Sequence, residues 1–240
     1  MARPPRSSTR TETRAIDTND DARPAWRRHT EGEHRLPVGL AIAVVIALQW
    51  VLPDRLTPGP RWLFPAIEAV LVVVLHAADP GRIRRDTGAL RMVALGLIGV
   101  VSLGTVYSVA MLVHDIVTKY GEGTPAQRLF AGGGIYLMNI LTFAVCFWEL
   151  DRGGPAARAR GADPYPDFLF PPMTSPDMAP KDWEPRFADY LYVAFTNATA
   201  FSPTDTLPMT RGAKAGMALQ SAIALIIAAL VVAQAINSLG

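Results

Sequence analysis

Five apolar runs dominate the chain: Leu36 to Leu52, Trp62 to Ala78, Met92 to Val117, Leu129 to Leu150 and Ala213 to Leu239. A helix needs about 20 apolar residues to cross the hydrocarbon core, with a lower limit near 17. The first two runs stand at that limit and the other three clear it. Only helices and closed barrels satisfy their backbone groups in lipid. The runs do not alternate apolar with polar residues, so helices are expected. The "PDRLTPGPR" turn after Leu52 makes the first two a tight hairpin.

Composition narrows the functional classes. The single cysteine, Cys146, lies in the fourth run, so neither an internal disulfide nor a cysteine metal cluster is available. A net charge of +2 gives no argument for nucleic acid. No paired Cys, H-E-x-x-H, G-x-S-x-G, Walker sequence or Ser/His/Asp set is found, so no enzyme, metal or cofactor is expected.

Residues 1–35 carry eight arginines among Asp, Glu, Ser, Thr and Pro, and read as a disordered cytoplasmic tail without a signal peptide. The stretch "DPGRIRRDTGALR" (79–91) is also Arg-rich, whereas the loops 53–61 and 118–128 each hold two basic residues. The excess of Lys and Arg in short loops marks the cytoplasmic side. The N-terminus is therefore expected in the cytoplasm of a bacterial cell (inner) membrane, with residues 36–150 forming four transmembrane helices. Eight prolines between 155 and 185 exclude a long helix or central strand from the loop 151–187, which is expected to pack on the bundle.

Several polar residues sit inside the apolar runs. Glu68 is the intramembrane ionisable group, and a charge at the helix centre costs about 2.5–3.5 kcal/mol on insertion scales. It is read as an ion or proton site, or else as a structural hydrogen bond. Asn139, Gln220, Gln234 and Asn237 are read as interhelical glue. Gly132, Gly133 and Gly134 suggest close packing, and His114, Asp115 and the Glu149–Arg152 cluster read as interfacial ends.

The stretch "TNATAFSPTDTLPMT" (196–210) follows an apolar segment, 187–200, that is too short to span. This order resembles the pore module of potassium channels, in which a short pore helix leads to a glycine-rich filter, a D-x-x-P-x-T turn and an inner helix. Asp205, Pro208 and Thr210 match that turn. Asp189, Tyr190, Tyr192, Phe195 and Thr196 look like the pore helix, and Thr199 falls on the first filter threonine. Phe201 replaces the filter valine, and Ser202, Pro203 and Thr204 replace its Gly-Tyr-Gly. Pro203 fixes its own φ and restricts Ser202, so the usual carbonyl ladder is not expected. Hydroxyls of Thr199, Ser202 and Thr204 would instead line a polar mouth.

Residues 36–240 as a whole look similar to an uncharacterised bacterial family of five-helix inner-membrane proteins, while the channel likeness covers about 187–238. Together these imply an all-α integral membrane fold: five transmembrane helices plus a short re-entrant pore-like helix within 188–240. They imply permeation of an ion or small solute, not potassium-selective, or a non-conducting scaffold or sensor. Partners would be the lipid bilayer, further copies of the chain and a monovalent ion. The two lines of reasoning conflict on orientation. Potassium-channel pore loops enter from outside, whereas the charge distribution puts this one inside, as in ionotropic glutamate receptors.

Overall fold

The computed structural model describes residues 23–79, 81, 83, 87–118, 124–200 and 205–237. Eight helices are seen among them: α1 (Leu36–Val51), α2 (Leu63–Ala78), α3 (Gly88–Thr118), α4 (Pro125–Leu150), α5 (Pro155–Ala159), α6 (Pro171–Thr174), α7 (Phe187–Ala200) and α8 (Arg211–Asn237). Three segments are long and apolar enough to cross a membrane: Gly88–Thr118, Ala126–Gly153 and Arg211–Ile236. Helices α1 and α2 are equally apolar but hold 16 residues each. At 1.5 Å per residue they rise about 24 Å.

Helix α4 is the centre of the bundle and packs against α8, α7, α3 and α1. It begins earlier than the apolar run predicts, because Thr124 and Gln127 form a capping box that satisfies two orphan amides of the first turn. Gly132 lets α8 approach. A Cβ there would stand 2.4 Å from Val231 Cγ2, inside any real contact distance.

Antiparallel packing gives the molecule two ends. At the first end, Arg35 before α1 pairs with Asp79 after α2 at 3.2 Å, and Arg91 at the start of α3 donates to the Gly153 carbonyl after α4. At the second end lie the turn 52–62, the end of α3 and the start of α4. There Arg55 is paired with Asp115, so Asp115 is a buried ion-pair partner rather than a loose interfacial end.

Expected disorder over 1–35 falls partly outside the described residues. Over 23–35 the structure differs. Ala25–Arg27 forms one 3-10 turn, and Trp26 is buried in the main core. Thr30 N–H donates to the Ala159 carbonyl at 2.7 Å, and Ile83 N–H to the Glu33 carbonyl at 2.9 Å. The Trp26 ring in the core and these backbone bonds together hold the segment against the bundle.

The loop 151–187 lies at the first end. Its prolines leave only short helices, two 3-10 turns (Asp151–Gly153 and Pro176–Met178) and the strand β1 (Phe168–Leu169), which pairs antiparallel with β2 (Leu207–Pro208). Phe168 and Phe170 are buried against Phe147 and Tyr190, with ring centroids 5.0 to 6.2 Å apart.

Candidate functional site at the short helix and its turn

Helix α7 is built at both levels, by its sequence and by its neighbours. Asp189 Oδ2 accepts from the Arg186 amide at 2.8 Å, and Glu33 Oε1 accepts from the Phe187 amide at 2.7 Å. These carboxylates satisfy orphan donors at the positive end of the helix. Tyr190, Val193, Ala194, Asn197 and Ala198 are buried, a spacing that puts them on one face. Tyr192 and Phe195 lie on the other face and are 52% and 51% exposed.

Polar groups fix the depth of α7 in the bundle. Near its start, the Tyr190 hydroxyl donates to Asp151 Oδ2 at the end of α4. In its middle, Asn197 Nδ2 donates to Gln220 Oε1 at 2.8 Å and to the Met217 carbonyl at 2.9 Å. Gln220 Nε2 donates back to the Ala194 carbonyl at 2.8 Å, and Ser221 Oγ donates to the Asn197 carbonyl at 3.1 Å. Near its end, the Tyr136 hydroxyl donates to the Ala198 carbonyl at 2.8 Å. Tyr136 lies 15 residues before Asp151 in α4, or about 22 Å along the axis. By Leu207 the chain is again beside Leu169, and Met209 N–H donates to the Asp167 carbonyl at 2.7 Å. The start of α7 and the start of α8 therefore stand at the same end of the bundle.

The residues singled out in sequence divide. Thr196 and Thr199 bond back onto the carbonyls of Tyr192 and Phe195, at 2.8 and 2.9 Å, as helix hydroxyls commonly do. Ser202, Pro203 and Thr204 lie outside the described residues. Asp205 is exposed at a bend. Pro208 pairs with Phe168 in the ribbon. Thr210 accepts from the Ala213 amide at 3.2 Å and donates to Asp167 Oδ1 at 2.7 Å. The Pro-x-Thr part of the turn thus serves to end a strand and cap α8.

Glu68 is fully buried between α1, α2 and α3. Gln49 Nε2 donates to its Oε1 at 2.8 Å. Gly104 of α3 makes the space, since a Cβ there would lie 3.4 Å from Gln49 Nε2 and 3.9 Å from Glu68 Oε1. Glu68 Oε2 and Gln49 Oε1 have no hydrogen-bond partner among the described residues. Asn139, expected to join helices, differs: neither of its amide atoms has a partner among the described residues. It lines a cavity of about 470 Å3 between α3, α4 and α8, together with Thr105 and Thr142. The glue between helices is supplied by Gln220 and by the Thr105–Thr142 hydroxyl pair at 3.0 Å.

Sequence reasoning missed the polar knot after α4. Asp151 is fully buried, its Oδ1 accepting from the Asp167 amide at 2.8 Å. Arg158 donates to the carbonyls of Trp148 and Asp151 at the C-terminal end of α4. Arg152 takes φ +51°, followed by Gly153 and Gly154 at +78° and +100°. Two consecutive glycines were the available signal for such a left-handed turn. Outside the helices, Glu33 is held by Phe187 and by Trp148 Nε1 at 2.7 Å. Burial raises its pKa above the usual carboxylate value, and those two donors together with Arg158 and Arg186 partly offset this.

No family model, no curated protein and no solved structure matches this chain. The fold and site define a helical protein with three membrane-length helices and a short helix docked among them.

Proposed function

We propose that the chain is a multipass protein of the bacterial inner membrane, non-enzymatic, in which α7 is a re-entrant helix. In this reading α1 and α2 complete five crossings. Ions or small polar solutes, without potassium selectivity, pass along the outer face of α7 where copies of the chain meet. The observation that carries it is that α7 and α8 start at one end of the bundle, while α7 reaches only to Tyr136. Fourteen residues rise about 21 Å, short of the roughly 30 Å core. Non-helical backbone at membrane depth is tolerated only against protein or water, which favours an oligomer around this segment. The side is argued from charge: Arg23, Arg27, Arg28, Arg35, Arg91, Arg152, Arg158 and Arg160 all belong to the first end, which is therefore cytoplasmic.

A second reading is a non-conducting scaffold or sensor. Tyr192 and Phe195 on the outer face favour it, since large apolar groups suit lipid or a partner helix better than a water path. Purified protein in liposomes, assayed for sodium, potassium and proton flux, separates the two. A Tyr192→Cys chain that forms disulfide dimers, together with flux, supports permeation. Dimers without flux support the scaffold, and neither dimers nor flux overturns permeation.

A further inference from the structure

The cavity between α3, α4 and α8 holds a polar group that the fold leaves unmet. Asn139 is fully buried on α4 and lines this cavity, and neither its Nδ2 nor its Oδ1 has a partner among the described residues. Thr142 and Cys146 lie one and two turns further along α4, on the same face, and line the cavity too. The hydroxyls of the wall are already engaged. Thr105 donates to the Val101 carbonyl at 2.9 Å, so Thr142 is the donor in the Thr105–Thr142 pair. Ser102 meets Cys146 at 3.7 Å. Two acids, Asp151 and Asp167, stand at the first end of the cavity. A donor reaches each of their four oxygens: Tyr190 and the Asp167 amide on Asp151, Thr210 and the Arg152 amide on Asp167. What remains is the donor and the acceptor of Asn139, with the lone pairs of Thr142 beside them.

The walls define the rest of the ligand. They are mostly apolar, with Phe143 and Phe147 of α4 as the largest surfaces. Val106 of α3 and Leu219 of α8 also line the cavity and are more than half exposed. The cavity therefore opens between these two membrane-length helices, on the surface that a bilayer would cover. Asn139 lies 11 residues before Leu150 at the end of α4, or about 16 Å along the axis, so the unmet amide is deep in the spanned thickness. No Lys, Arg or His lines the cavity among the described residues, so an anionic headgroup would meet two carboxylates and no cation. Water fills such a space badly, because a buried water needs two to four polar partners. A hydroxyl on an uncharged chain satisfies both halves of the amide, donating to Oδ1 and accepting from Nδ2. The volume of about 470 Å3 lies in the range of small-molecule sites.

We propose that this cavity binds an uncharged lipid with a free hydroxyl group, its hydroxyl on Asn139 and its chain along Phe143 and Phe147. The inference rests on α3, α4 and α8 as membrane spans and not on permeation along α7, so a chain without flux leaves it standing. The test uses the full chain in an uncharged detergent, with tetradecanol or tetradecane added at equal mole fraction in the micelles. Cys146, half-buried and the single cysteine of the chain, reports occupancy through its rate of alkylation by N-ethylmaleimide, with the denatured chain as reference. Tetradecanol should slow the reaction saturably, with a midpoint about tenfold below that of tetradecane. Asn139→Leu removes both unmet groups and should bring the two midpoints together. Equal midpoints in the wild-type chain overturn the proposal, and so does a tenfold preference that survives in Asn139→Leu. Absence of protection by the alcohol overturns it as well. A thiol that stays unreactive in the native chain shows a cavity closed to the bilayer, with the same consequence. The comparison within the wild-type chain decides the matter even if Asn139→Leu does not fold.

Discussion

Glu33 and Phe187 lie 154 residues apart in the chain, yet the Phe187 amide donates to Glu33 Oε1 at 2.7 Å. The acid that caps the short helix therefore comes from the segment before the first apolar run. Its other oxygen accepts from Trp148 near the end of α4. One carboxylate thus ties the N-terminal segment, the central helix and α7 together.

This tie makes stability depend on pH. Burial is the largest influence on Glu33 and raises its folded pKa above the unfolded value. A raised pKa means that its contribution is fully present below the unfolded pKa and is lost as pH rises through the folded one. The Tm of the detergent-solubilised protein should fall as pH rises above the ordinary glutamate range. Glu33→Gln should flatten that slope. It should also cost about 1–3 kcal/mol at low pH, because an amide offers one acceptor oxygen where two donors wait. Equal slopes in both proteins would show that Glu33 does not control the dependence.

The Asn197–Gln220 pair should act as one unit. Asn197→Leu removes three side-chain hydrogen bonds, to the Met217 carbonyl, Gln220 Oε1 and Ser221 Oγ, and Gln220→Leu takes one acceptor from Asn197 Nδ2 and the side-chain donor from the Ala194 carbonyl. Each single change should destabilise by about 1–3 kcal/mol. The double change should cost clearly less than the sum, because the second loss removes groups already orphaned by the first. Denaturation of the four proteins measures this, and strict additivity would mean that the two amides act separately.

What could be read from sequence followed local rules. The long apolar runs, the short length of 187–200 and the pairing of two short helices by a proline turn are all properties of contiguous residues. The polar contacts were not legible, because their partners are far apart. Asp151 reads as an interfacial charge until Tyr190, 39 residues later, is seen to bond it. Trp26 was hidden by the eight arginines around it, since composition averages away a single anchoring ring. The Gln49–Glu68 pair was within reach. In a hairpin the residue just before the turn meets the residue just after it, and both are polar in otherwise apolar runs. Asn139 went the other way: a buried amide predicts a partner, and its amide faces a cavity instead.

Glu68 separates packing from charge transfer. Its only side-chain hydrogen-bond partner among the described residues is Gln49. Its neighbours from the adjoining helices, Gln49 of α1 and Gly104 of α3, are uncharged, and Arg55 is engaged with Asp115. If Glu68 carries a proton or cation, Glu68→Gln should abolish pH-dependent flux in liposomes while expression and Tm change little. Gln49→Leu should then alter the pH dependence without removing flux. Equal flux from wild type and Glu68→Gln would assign the pair to packing alone.

Topology tests the re-entrant reading at its root. The N-terminal segment and the turn before α8 share one end of the bundle through two separate chains of contact. The first runs from Glu33 to Phe187. The second runs from Asp167 to Thr210. Gly59 and Thr124 belong to the opposite end, with the Arg55–Asp115 pair. In a Cys146→Ala background, single cysteines replace His29, Gly59, Thr124 and Asp205, all of them exposed positions. A membrane-impermeant thiol reagent is then added to intact spheroplasts. Gly59→Cys and Thr124→Cys should react from outside. His29→Cys and Asp205→Cys should react only after the membrane is opened, because the arginine-rich end resists translocation. If all four assignments reverse together, the end that faces the cytoplasm is wrong but α7 remains re-entrant. If Asp205→Cys instead reacts alongside Gly59→Cys while His29→Cys stays protected, α7 crosses the membrane and both the re-entrant helix and the path along its outer face are lost.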